Sequence, residues 1–189
     1  MHLALPPEIV VYDTEYTTWD GARERKWAGP NEHREIVHIG AVKIETNTFR
    51  ELDSFEVYVR PNINPELSDL FVELTGISQE VVDRKGVDFL DAWQRFNIWR
   101  GGLDAYAFGN DAEVLSENCH LSDIPSTYTG RLLNICEVFE RYGIATTAYH
   151  SSTIVGAFGH TPRQGAHNAL NDARSIVDGL RLLDASLHV

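Results

Sequence analysis

The sequence predicts an α/β domain whose mixed sheet is flanked by helices. Three observations carry that prediction. Short apolar runs rich in β-branched residues come early, at 9–12, 36–44 and 55–59. Helical stripes dominate afterwards, interrupted by one more strand pattern at 105–108. A polar stretch at 45–50 joins the second and third runs as an antiparallel hairpin, which rules out a purely parallel sheet. At 189 residues the chain suits one domain of ordinary size, burying about 70% of its unfolded surface. No repeat, low-complexity tract or long linker divides it, so the domain is read as 1–189.

Taken in order, Ile9, Val10, Val11 and Tyr12 make a buried strand. Residues 17–34 are polar, contain Gly21, Gly29 and Pro30, and read as a long exposed loop, a length often tied to function. In the third strand Phe55, Val57 and Val59 alternate with Glu56, Tyr58 and Arg60. The first helix is predicted from Asn64 as N-cap and Pro65 as first helical residue to Gly76. Its apolar face is Leu67, Leu70, Phe71 and Leu74. Ser78 opens another short turn, and a helix over 87–100 aligns Phe89, Leu90, Trp93 and Phe96. Helices are predicted near 111–119, 131–142 and 150–158. The last helix is the clearest, with Leu170, Ala173, Ile176, Val177, Leu180 and Leu183 at a 3.6-residue period.

Composition bounds the function. With 16 Lys+Arg against 28 Asp+Glu the net charge is −12, which argues against a broad basic footprint on nucleic acid. Cys119 and Cys136 make no disulfide framework, so a reducing, cytoplasmic location is expected. The N-terminus lacks the basic and apolar regions of a signal peptide, and no stretch is apolar enough to span a membrane.

Acids on three separated segments are candidates for shared chemistry. Asp13 and Glu15 close the first strand, and residues two apart on a strand point to one face. Asp111 follows the 105–108 strand, and Asp172 lies early in the last helix. Hard divalent cations take oxygen ligands, and a two-metal site needs several carboxylates to hold two dications against their repulsion. Nothing here suggests a zinc–thiolate site. Singly, each acid has a plainer reading: a strand-end pair, a helix N-cap, a solvated helix face. Their order, two strand ends and then a helix start, is what sets them apart. Inside one ideal helix His167 and Asp172 would stand about 140° apart. His167 is therefore expected in the loop around Gly165 and Ala166, before the helix begins. A neutral imidazole there could accept a proton from water, or simply be solvated.

Three segments resemble a known family. Tyr12-Asp13-Thr14-Glu15, Phe108-Gly109-Asn110-Asp111 with Leu115, and Ala166-His167-Asn168-Ala169-Leu170-Asn171-Asp172-Ala173 are similar to the three motifs of the DEDDh (DnaQ-like) 3′→5′ exonucleases. The stretches 35–42, 58–69 and 74–77 resemble the exoribonuclease branch, which includes histone-mRNA and RNA-interference exonucleases and KapD-like proteins. The resemblance implies a ribonuclease H-like fold and two Mg²⁺ or Mn²⁺ ions held by Asp13, Glu15, Asp111 and Asp172. It also implies catalysis by His167 as general base together with Glu15, releasing nucleoside 5′-monophosphates from single-stranded RNA. Thr14, Tyr16 and the Leu74-Thr75-Gly76 turn are the implied substrate-binding positions, although Leu74 also fits as the last core residue of its helix. Four neighbouring acids would hold the His167 pKa near or above its ordinary value of about 6.5.

Two features depart from the branch: the Gly109-Asn110-Asp111 motif is one residue short, and His38 stands where an acid is common. The segment 19–27 is rich in basic and aromatic residues, suited to gripping RNA or to forming a solvated loop around a buried Trp. A DNA proofreading or trimming exonuclease would use the same five residues. A scaffold with a retained nuclease fold is a third reading, against which the complete acid set argues. Two bound dications would bring the charge to about −8, leaving the metals as the main attraction for the scissile phosphate.

Overall fold

A computed structural model describes residues 3–125, 130–162 and 167–188. Its centre is a five-stranded mixed sheet in the order β3-β2-β1-β4-β5. β1 (Glu8–Tyr16), β2 (Ile36–Glu45) and β3 (Arg50–Tyr58) form an antiparallel meander, as the hairpin expectation required. β4 (Ala105–Ala107) and β5 (Leu132–Asn134) add in parallel on the other side of β1.

Strand alternation divides the core into two layers. Ile9 and Val11 of β1, with Val42 and Ile44 of β2, pack on α6 (Ala169–Ser186), the 3-10 helix Ser151–Phe158 and α5 (Cys136–Arg141). Val10 and Tyr12, with Ile39 and Ala41, face α3 (Phe89–Arg100) and α4 (Asp111–Leu121). α6 can lie close to the sheet because β2 presents Gly40 to its first turn; a Cβ there would stand 2.1 Å from Leu170 N and 2.4 Å from Ala169 C.

A bulge ends regular pairing beside the acids: Glu15 opposes His38, but Tyr16 opposes Ile36. The extra residue, Val37, turns to a separate small core with Phe71, Ile77 and Val82. That core seats α1 (Asp69–Thr75) and α2 (Gln79–Lys85) against the sheet.

The first helix is shorter than predicted. Its N-cap is Ser68, whose hydroxyl accepts from Phe71 N at 3.1 Å, and Gly76 is its left-handed C-cap as expected. Asn64 is occupied elsewhere. The buried Glu35 carboxylate accepts from the backbone N–H groups of Asn62, Ile63 and Asn64 at 2.7–2.8 Å, and from Asn64 Nδ2 at 3.1 Å. Four donors on one carboxylate hold 62–64 out of helix. The predicted helix over 131–142 also divides. Leu132–Asn134 pairs with β4 instead, and Asn134 Oδ1 accepts from Gly109 N and Cys136 N, ending the strand and starting α5. The predicted helix near 150–158 is a 3-10 helix.

The 17–34 loop is compact and clasped at its base. Thr17 N–H donates to Glu35 O at 2.9 Å, Thr17 Oγ1 to His33 O at 2.6 Å, and Glu35 N–H back to Thr17 Oγ1 at 3.0 Å. An Arg25–Glu32 ion pair braces it and Ala22 is buried within it. Among the described residues no helix is long and apolar enough to cross a membrane.

Candidate active site

The alternation that builds the core also sorts the acids. Asp13 and Glu15 continue the face of Ile9 and Val11, toward α6, while Thr14 points to the α4 side. Asp111 is the first residue of α4 and directly follows β4, the parallel neighbour of β1. Thr14 joins the two: its N–H donates to Asp111 Oδ1 at 2.9 Å and its hydroxyl donates to the same oxygen. Asp172 sits in the first turn of α6. All four acids and His167 line one cleft of about 950 Å³ at the carboxyl ends of β1 and β4.

His167 lies before α6, ahead of the N-cap Asn168, as the helical geometry required; Gly165 and Ala166 lie outside the described residues. Its φ is 61°, a left-handed conformation uncommon outside glycine, though histidine enters it more readily than most residues. In that conformation its N–H donates to Asp172 Oδ2 at 3.1 Å. One backbone bond thus fixes both the acid and the histidine of the third motif. The imidazole is exposed, and ligand atoms of Glu15, His167 and Asp172 lie within 4.8 Å of one another.

Burial and mutual repulsion dominate the electrostatics. Burial, then Asp111, Glu15 and Asp172, push Asp13 well above the usual carboxylate range. Glu15 is pushed up to about 8 by burial, then Asp172 and Asp111. Asp172 rises to about 7, chiefly by burial, although the His167 N–H pulls it down. Asp111 reaches only about 6, because the two Thr14 bonds oppose its burial. The Ser151 hydroxyl lowers both Asp13 and Asp172. Asp172 Oδ1 is buried without a hydrogen-bond partner among the described residues. An orphaned carboxylate oxygen in an all-oxygen cluster that strains against its own charge fits hard divalent cations.

His167 departs from expectation in one respect. Partial desolvation of the ring, followed by the charge of His150, lowers its pKa rather than raising it. That direction favours the neutral imidazole.

The predicted substrate positions separate. Tyr16, Leu74 and Thr75 line the cleft; Leu74 is 43% exposed, so it is not the last core residue of its helix. Gly76 caps α1 behind them. Thr14 also lines the cleft, with its hydroxyl committed to Asp111. His38 is fully buried, stacked on Tyr58 at 4.6 Å between ring centroids, with Nε2 3.0 Å from Glu56 Oε1. Ser151 and His150 escaped the sequence reading, and Gly40, inside the 35–42 stretch, was not singled out for its contact with α6. Each acts through a contact that only the folded chain creates.

Comparison with known proteins gives the family and the fold. The family described as exonuclease, RNase_T, matches residues 10–179. Human 3'-5' exoribonuclease 1 is 46% identical over 76 residues, 40% of this chain but only 20% of the relative's length. The Bacillus subtilis protein named "Probable 3'-5' exonuclease KapD" is 25% identical over 179 residues, 93% of this chain and 84% of that one. The solved nuclease domain of 3'hExo, a DEDDh family member bound to rAMP, superposes with a TM-score of 0.80 at 24% identity, covering 98% of this chain and 94% of that chain. That likeness establishes the ribonuclease H-like fold. With nearly its whole length matched, the chain belongs to the RNase_T exonuclease family.

Proposed function

We propose that this protein is a metal-dependent 3′→5′ exoribonuclease that hydrolyses single-stranded 3′ ends to nucleoside 5′-monophosphates. The observation that carries this reading is the convergence of Asp13, Glu15, Asp111, Asp172 and His167 on one cleft. The names of the relatives, 3'-5' exoribonuclease among them, support RNA as the substrate.

The carboxylates would hold two Mg²⁺ or Mn²⁺ ions; ligand atoms of Glu15 and Asp172 lie within 4.8 Å of each other and of one on His167. Bound there, such ions supply counter-charge for the phosphodiester and the leaving 3′ oxygen, and lower the pKa of the attacking water. The residues do the rest. Thr14 fixes the angle of Asp111, and the His167 N–H fixes Asp172. The neutral, exposed His167 imidazole accepts the proton of the attacking water. Tyr16, Leu74 and Thr75 bound the space for the terminal nucleotide.

Incubating 5′-labelled single-stranded RNA with Mg²⁺ or Mn²⁺ is expected to give a ladder shortening from the 3′ end. Equal activity in wild type and Asp13→Ala would falsify the assignment. A single-stranded DNA of the same sequence, run beside the RNA, separates this reading from a DNA exonuclease.

A further inference from the structure

The 17–34 loop builds a wall of the cleft that the chemistry at the carboxylates does not use. Trp19, Arg23, Lys26 and Trp27 all line that wall. Arg25 is paired with Glu32, and Arg34 with Glu117. Arg23 and Lys26 are exposed and have no ion pair among the described residues, in a chain of net charge −12. Trp19 is half-buried, and its ring meets no other ring among the described residues.

The wall is held, not loose. Lys26 and Trp27 both adopt left-handed conformations, with φ of 54° and 53°. Consecutive bulky residues keep such angles only where their surroundings enforce them. Here Trp27 N–H donates to Ala22 O at 2.8 Å, Trp27 Nε1 donates to Thr17 O at 3.1 Å, and the indole stands edge-on to Tyr16 at 5.5 Å. The strained turn thereby holds Lys26 beside the cleft. A smaller depression of about 250 Å³ shares Lys26, Trp27 and Arg34 with the cleft, so the concave surface continues past the loop.

We infer that this wall is the binding track for the single-stranded segment 5′ of the scissile phosphate, with Arg23 and Lys26 taking its phosphates and Trp19 stacking a base. Unpaired cations and a free aromatic face along a groove are the elements from which sequence-tolerant single-strand sites are made. The inference rests on the exonuclease reading and extends it: it assigns affinity for the chain to the loop and leaves bond cleavage to the carboxylates.

The test compares wild type with Arg23→Ala/Lys26→Ala and with Trp19→Ala on a single-stranded RNA 10-mer and on a dinucleotide. On the 10-mer the double variant is expected to raise KM roughly ten-fold with kcat retained. Its salt dependence should flatten by about 1.4 in log–log slope, the contribution of two single-strand phosphate contacts. Trp19→Ala is expected to raise KM about five-fold or more. On the dinucleotide, too short to reach the wall, these deficits should vanish. Wild-type KM and salt slope for the double variant on the 10-mer overturn the track. Anisotropy of a labelled 10-mer, with calcium replacing magnesium, keeps the two readings separable. If wild type degrades nothing, weaker binding by the double variant still supports the track, and equal binding removes it.

Discussion

Gly40 on β2 lies so close to the first turn of α6 that a Cβ added there would stand 2.1 Å from the Leu170 backbone nitrogen. Because the obstacle is backbone, no side-chain rotation relieves it. Gly40→Ala is expected to lose about 1–3 kcal/mol of stability, as overpacked cores do. It also pushes the α6 start, and Asp172 with it, away from Asp13 and Glu15. Urea unfolding together with RNA degradation checks both effects; wild-type activity in the variant would show that α6 does not need this contact.

Thr14→Val keeps the shape of the side chain and the backbone bond to Asp111 but removes the hydroxyl bond. Groups that orient a metal-binding carboxylate commonly contribute ten-fold or more to metal affinity or activity. We expect Thr14→Val to need roughly ten-fold more Mg²⁺ for half-maximal activity. Thr14→Ser, which restores the hydroxyl, should return close to wild type.

The raised carboxyl pKa values make the metal-free protein pH-sensitive in an unusual direction. Above about pH 4 an unfolded chain has released these protons. The folded protein still holds them until pH passes about 6 at Asp111, 7 at Asp172 and 8 at Glu15. A folded state that binds more protons loses stability as pH rises. In EDTA, Tm is therefore expected to fall between pH 5 and pH 8. Saturating Mg²⁺ should abolish the fall by neutralising the cluster. Parallel Tm curves with and without metal would show that the acids do not share one charge problem.

His150 lowers the His167 pKa by its charge, second to partial desolvation of the ring. Replacing it by Gln removes that charge and lets His167 hold its proton to higher pH. Measured at saturating metal, the acid limb of the kcat profile is expected to move upward in pH in His150→Gln. An unmoved limb would mean that the group titrating there is not His167.

The sequence was most legible where one local rule decides the outcome. β1 follows from its β-branched apolar run and the bulk of α6 from its 3.6-residue period, and the placement of His167 before α6 follows from the angle between residues 167 and 172. Legibility failed where a distant group decides. Asn64 and Pro65 are good helix starters, but Glu35 captures the 62–64 backbone and Ser68 takes over as cap. Leu132 and Leu133 favour helix by propensity, yet β4 offers them a strand partner. At the site, the acids stood out by their order along the chain, and the histidine through the family resemblance. Ser151 and Gly40 did not, because their roles exist only between segments that the fold brings together.

The clasp of Thr17 on His33 and Glu35 separates the loop mechanically from the sheet. It closes the 17–34 segment onto itself within two residues of the last β1 carboxylate, and the bulge opposite Tyr16 already ends strand pairing there. The loop therefore leaves and re-enters the body at one point, so a change in its length falls on the cleft wall and not on the β1–β2 register that aligns Asp13 and Glu15.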